Sequence, residues 1–430
     1  MDKPKILLIS SASPLKGPGR VALDYYKAFK HEGCEIDFLT LYPVIGFPEI
    51  RYIYSKPSAV RNKLYKILYY LTGKRKVVPG FHFFYTREQI PPVPVKKVLN
   101  NIGSHYDMVL ILFWQEMLSF ATVKGLYKKL RCQIHFMGVD YSQMSGGCHF
   151  TGECQRYMQG CGFCPAIYSK RLNDFTFYNT RYREKVYKTV RPIVYGNSYM
   201  RNCFYSNSYL LRDARVEQSY DIYDMNEFYP IDKQPLRKKY GIKEEKEFII
   251  FFGCQSLSET RKGMSYLLES LKILWNSLND SERCRVQLIV AGKDFELIAN
   301  QVYFDAKDFG YVDMSQMPDL YSLADVYLSP SINDAGPTMV NQSLCCGTPV
   351  VAFEMGTALE SIKGKPTGYC ARLQDSKDFA RGIEMIFRLS ETERLKSSKK
   401  CRDYALNHFS YCSRVNNILS IYKKYQDEDC

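Results

Sequence analysis

Short apolar runs recur along the chain, each closed by a polar or glycine-bearing loop, and many are followed by apolar residues at helical spacing. The first run covers 6–10. A Gly/Pro loop follows over 11–20, and Val21, Ala22, Tyr25, Tyr26 and Phe29 then mark one face of a helix over 21–30. With a second run at 34–39 this makes a strand–helix–strand start, in which Gly17 and Gly19 permit close backbone approach at the head of the helix. Runs at 107–114, 133–137 and 192–195 continue the strand series. A second series opens at 248–253 and continues with runs at 286–291, 326–328, 349–353 and 368–371. Helices are predicted over 264–275, 314–324, 375–389, 391–408 and 413–424. Alternation of this kind predicts an α/β chain of doubly wound parallel sheets.

The stretch LADVYLSPSINDAGPTMVNQSLCCGTPVVAFEMG, residues 323–356, organises the second half. A polar loop over 329–336 leaves a buried strand, and a helix should begin at Pro337, whose missing N–H has no partner in a first turn anyway. Gly347 and Pro349 stop that helix. A loop at the carboxyl end of a strand, leading into a helix amino terminus, suits an anionic ligand, because free N–H groups and the helix dipole point there. Asp334, Gly336, Pro337 and Thr338 occupy this turn, and Gln342 follows eight positions after Asp334. A similar junction follows Gly253, where Arg261 and Lys262 precede the helix over 264–275. Two cations there suit an anionic ligand; a merely solvated basic pair is the bland alternative.

With 430 residues, 46% of them hydrophobic, the chain is long enough for two domains of roughly 200 residues each. No apolar run approaches the ~18 residues of a spanning helix, and the run at 6–10 is too short for a signal-peptide core. Fifteen cysteines with no export signal fit a reducing, cytoplasmic compartment. The formal net charge of +14 admits nucleic acid, an anionic membrane surface, or solubility alone. The densest basic stretch, 61–76, places Leu64, Ile67, Leu68 and Leu71 at helical spacing among Arg61, Lys63, Lys66, Lys74, Arg75 and Lys76. It reads either as a surface helix packing its apolar stripe on a sheet or as an interfacial helix on the inner face of a membrane.

Within CHFTGECQRYMQGCGFCP, Cys148, Cys154, Cys161 and Cys164 have a spacing able to close a tetrahedral thiolate site; His149 is an alternative ligand. Four cysteines leave no open position, so a zinc held there would be structural. Free buried thiols are the alternative. A nucleic-acid-binding protein with a zinc module is disfavoured, because basic and aromatic residues do not gather around these cysteines, and no nucleic-acid partner is expected.

The motif running from Asp334 through Gln342 to Gly347-Thr348-Pro349-Val350-Val351 resembles the donor-site signature of the family four retaining glycosyltransferases of the GT-B fold. Cys161-Gly162-Phe163-Cys164-Pro165 is similar to the end of a cysteine-rich insertion found in a subgroup of bacterial polysaccharide glycosyltransferases. The resemblance implies two Rossmann-like domains facing a central cleft. It places an acceptor-side domain at 1–195 with the insertion at about 146–165, a nucleotide-sugar domain at 196–405, and a terminal helix at 406–430 packing back on the first. It further implies retaining transfer without a catalytic metal, from a nucleotide-diphosphate sugar to a glycan or lipid-linked acceptor. Asp334 would orient the sugar, Gln342 the ribose, and Arg261 and Lys262 the diphosphate. The sequence departs from the family in carrying Asp334 as a shorter acid, Gln342 as an amide, and Val139 where relatives have histidine before Asp140. Asp140 is the candidate general base. A relative that binds a nucleotide sugar without turning it over is the second reading.

Overall fold

The computed structural model describes residues 3–15, 19–56, 78 and 81–429. The basic stretch 61–76 and Gly17 therefore lie outside the described residues. The chain divides into two units, one formed by Met1–Ile222 with Val415–Cys430, the other by Tyr223–Arg414.

The first unit carries strands β1 (Ile6–Ser10), β2 (Ile36–Thr40), β3 (Arg51–Tyr52), β4 (His82–Phe83), β5 (Met108–Ile111), β6 (Gln133–Phe136), β7 (Cys148–Phe150), β8 (Ile193–Gly196) and β9 (Arg215–Gln218). Seven of them form a parallel sheet in the order β3-β2-β1-β5-β6-β8-β9, while β4 and β7 make a small antiparallel pair. The central strands are buried throughout, which is why they read as unbroken apolar runs rather than alternating ones. Helices α1 (Arg20–His31), α2 (Val95–Asn100), α3 (Phe120–Leu130) and α4 (Phe175–Val190) complete the unit together with a terminal segment. Gly19 packs α1 closely: a Cβ there would lie 2.2 Å from the Ser13 carbonyl oxygen, so the sequence expectation of a close approach holds at this glycine.

The domain boundary falls at Ile222/Tyr223 instead of 195/196. The reason is β9, which extends the first sheet by pairing with β8. Its sequence RVEQ is half-buried and has no apolar run to announce it.

The second unit carries β10 (Phe248–Ser256), β11 (Val286–Lys293), β12 (Asp305–Asp308), β13 (Val326–Ser329), β14 (Val350–Phe353) and β15 (Gly368–Ala371), parallel in the order β12-β11-β10-β13-β14-β15. Its helices are α5 (Lys233–Lys239), α6 (Met264–Ser277), α7 (Asp280–Arg285), α8 (Met317–Leu323), α9 (Thr338–Cys345), α10 (Ala358–Ser361), α11 (Ser376–Phe387) and α12 (Glu391–Phe409). The core joins Phe248, Ile250 and Phe252 of β10 to Leu267, Leu271 and Leu274 of α6 and to Phe379 and Ile383 of α11. The last helix, α13 (Tyr411–Asp429), enters the first unit from Val415 onward, where the Tyr422 carbonyl accepts from Gln133 Nε2 at 3.0 Å.

In each large sheet the order reverses direction at one place, between β1 and β5 and between β10 and β13. Open α/β sheets bind ligands outside the carboxyl ends of strands at such a reversal, since the two flanking loops diverge there and leave a crevice.

His135 sits in β6 and is fully buried, with Nδ1 3.0 Å from the Tyr195 hydroxyl and Nε2 3.0 Å from Gln133 Oε1. This pairing suits a neutral ring that donates through Nε2 and accepts at Nδ1. Burial pushes its pKa down to about 3 from 6.5. The unfolded chain therefore takes up the proton first as pH falls. The contribution to stability is complete above pH 6.5 and shrinks below it by up to about 1.4 kcal/mol per pH unit. A His135→Gln variant should show a flatter dependence of unfolding free energy on pH between 6.5 and 4 than the parent chain; an unchanged slope would contradict this account.

Candidate functional site

The loops that leave β10 and β13, on either side of the reversal in the second sheet, meet directly. After β10 the chain makes one 3-10 turn, Thr260–Lys262, and Gly263 caps the start of α6. Gly263 has φ +71, and a Cβ there would fall 1.9 Å from the Pro330 carbonyl oxygen. Only glycine meets both conditions without strain. The Ile332 N–H donates to the Arg261 carbonyl at 2.9 Å, fastening one loop to the other.

This contact brings three charges of the predicted site together. Asp334 Oδ2 lies 2.9 Å from Arg261 Nη1 and 2.7 Å from Lys262 Nζ, and Oδ1 accepts the Gly336 N–H at 3.2 Å. Burial by itself would raise the Asp334 pKa. Lys262 and Arg261, with the Gly336 N–H, outweigh that and hold the carboxyl below the ordinary range. Glu259 also binds Arg261, through Nε at 2.6 Å, so two carboxylates share the two cations. The sequence reading missed Glu259, which carries no periodic or motif signal and matters only because the turn folds it back.

Helix α9 starts one residue later than expected. Pro337 is extended and caps the helix, and Thr338 is its first residue. Gly253 has a packing role: a Cβ there would meet Met339 Cε at 2.7 Å, so its absence lets the first turn of α9 lie against β10. Gln342 is buried, and its Oε1 accepts from the Tyr321 hydroxyl at 3.0 Å. Tyr321 was not singled out by sequence, because a helical tyrosine facing a sheet reads as core.

Asp140, the remaining predicted catalytic residue, belongs to the first unit, beyond the carboxyl end of β6. It is fully buried and both oxygens are engaged, Oδ1 by the Ser142 N–H at 2.7 Å and Oδ2 by His149 Nδ1 at 2.7 Å. His149 keeps 25% of its side chain exposed. The pair thus places an imidazole, and not the carboxylate, towards solvent. Its ring is bracketed by Phe84 and Phe150 at centroid distances of 5.3 and 4.5 Å.

Cys148, Cys154, Cys161 and Cys164 line one small cavity of about 10 Å³. Among the described residues, no group of three or more His, Cys, Asp or Glu side chains is placed so that it could hold a metal ion. His149, the alternative ligand of the sequence reading, is turned to Asp140. Among the described residues no helix is long and apolar enough to cross a membrane.

Residues 232–408 match the family described as "Glycosyl transferases group 1". EpsD of Bacillus subtilis (strain 168), a protein named as a glycosyltransferase, is 27% identical over 205 residues, which cover 46% of this chain and 51% of EpsD. The chain thus spans about half the length of this curated relative. Sucrose-phosphate synthase from Thermosynechococcus elongatus superposes with a TM-score of 0.65 at 16% identity, covering 99% of this chain and 100% of that one. Anabaena HepE, solved in complex with UDP and glucose, superposes with a TM-score of 0.61 at 13% identity, covering 98% and 100%. The chain has the GT-B fold of two Rossmann-like units, and its residues 232–408, which match the group 1 glycosyl transferase family, carry the Asp334 cluster.

Proposed function

We propose that the chain is a retaining glycosyltransferase that moves a sugar from a nucleotide-diphosphate sugar to a glycan or lipid-linked acceptor in the making of a surface polysaccharide. The observation that carries this reading is the convergence of Arg261, Lys262 and Asp334 at the sheet reversal, inside the segment that matches the glycosyl transferase family. Breaking the bond between sugar and diphosphate leaves negative charge on the leaving oxygens. Arg261, Lys262 and the amino terminus of α9 supply fixed positive charge to receive it, a task that needs no catalytic metal. Arg offers a planar fork and Lys a point charge, so the two divide orientation from neutralisation.

Asp334 has two parts in this proposal. Before donor binds, it balances the two cations; with donor in place, it orients the sugar hydroxyls while the cations turn to phosphate. Gln342 offers its amide towards the ribose, with Tyr321 holding the carbonyl end. The acceptor hydroxyl attacks from the face that the diphosphate leaves, which preserves the anomeric configuration. On the first unit, Asp140 fixes the His149 ring with Nδ1 as donor, leaving Nε2 as the hydrogen-bond acceptor for a substrate hydroxyl.

That HepE was solved with UDP and glucose supports testing UDP sugars first. The decisive measurement incubates the purified chain with a panel of nucleotide-diphosphate sugars and reads nucleoside diphosphate release with and without lipid-linked acceptors. Release from one donor, accelerated by an acceptor, with the product anomer unchanged, is the expected result. Saturable donor binding without release would favour a non-catalytic nucleotide-sugar binder, and absence of both would overturn the reading.

A further inference from the structure

We propose that Cys148, Cys154, Cys161 and Cys164 bind one structural zinc ion in the cavity they line. Four residues spread over 17 positions reach one void by different routes. Cys148 opens β7, Cys154 follows a turn, and Cys161 and Cys164 flank a tight knuckle. In that knuckle Cys161 and Phe163 are left-handed, with φ 62 and 45, alternating with left-handed Gly160 and Gly162. Each such non-glycine residue costs on the order of 1–2 kcal/mol, so an interaction that holds the turn has to offset it.

The polar groups around the cavity are those that a thiolate cluster needs. The Gly146 N–H donates to Cys161 Sγ at 3.3 Å, and the Ala166 backbone N–H donates to Cys164. Arg156 lines the cavity.

As placed, the four side chains line the void but do not form a cluster that could hold an ion. Binding requires rotation of the thiols about Cα–Cβ and loss of up to four S–H protons to solvent. An all-thiolate tetrahedral set suits zinc and leaves no open coordination position, which makes the role structural. Its structural consequence reaches the Asp140–His149 pair, because His149 directly follows Cys148.

The test needs no substrate. Elemental analysis of the full chain, purified without added metal, should give one zinc per chain. Titration of the native chain with an organomercurial should release that zinc as about four thiols react. Cys148→Ser and Cys164→Ser should each lower the zinc content at least about tenfold. Should those variants fail to fold, cobalt exchanged into the parent chain should give thiolate-to-cobalt absorption in the near ultraviolet. Stoichiometric iron, disulfide-bonded cysteines at these positions, or four freely reacting thiols with no bound metal would each overturn the proposal.

Discussion

Replacing Lys262 by Ala should lower kcat by at least about tenfold, and the Arg261→Ala, Lys262→Ala double variant should lower it further. Transition-state charge stabilisation of this kind is worth several kcal/mol, and one lost order of magnitude corresponds to about 1.4 kcal/mol. Both cations face the same Asp334 oxygen, so their effects should not add. Asp334→Asn separates the two parts given to this carboxylate. It should depress turnover, since the sugar is held less well, without weakening the binding of free nucleoside diphosphate, because Lys262 is then released to phosphate while Arg261 stays paired with Glu259. Gln342→Ala should chiefly raise the donor KM, by the roughly fivefold that about 1 kcal/mol allows. Gln342→Glu keeps an oxygen for the Tyr321 hydroxyl and should be tolerated. Steady-state kinetics, with nucleoside diphosphate binding measured separately, checks all of these. Wild-type values in the Lys262, Arg261 and Asp334 variants alike would place the donor site elsewhere.

The largest effect on stability is expected at Arg183. Its guanidinium is buried in the first unit, with Nε 2.9 Å from Glu88 Oε1 and Nη1 donating to the carbonyls of Ser142 and Ser145. It also lies 5.0 Å from the Phe120 ring centroid. Glu88 is buried too, and its other oxygen accepts the Phe120 N–H at 2.7 Å, at the start of α3. Arg183→Ala would leave that carboxylate charged and unpaired inside the unit, a loss of about 3–5 kcal/mol. It would also free the carbonyls that hold the segment between Asp140 and Cys148. Adding Glu88→Gln removes the stranded charge and should recover part of the loss. Denaturant unfolding of the single and double variants is the measurement. Equal destabilisation in the two would mean that packing, and not the ion pair, sets the effect.

Much of the second unit was legible in the sequence because its strands are buried on both faces. Runs such as 248–253 and 349–353 are continuous, and Gly263, Gly347 and Pro349 punctuate them where the chain turns. The charged residues of the site could be chosen because each lies just beyond a strand. The first unit was less legible. Helix α4 was missed because its sequence FTFYNTRYREKVYKTV mixes buried Thr176, Asn179 and Arg183 with apolar positions, so no clean stripe appears. Asp140 was found, but its partner was not. His149 lies nine residues away across a loop and a strand, and nothing in the spacing pairs them.

The sequence by itself therefore determined the alternation of elements, the two sheets and the three charges of the Asp334 cluster, since these depend on local periodicity and on residues adjacent to strand ends. Only the tertiary structure decided that β9 and the chain from Val415 onward belong to the first unit, that Asp334 pairs with both cations while Glu259 shares Arg261, and that Asp140 is spent on His149. The same holds for the cavity shared by the four cysteines. These are contacts between residues far apart in the chain or turned back by a loop, and the sheets fix them through packing and hydrogen bonds that no local pattern records.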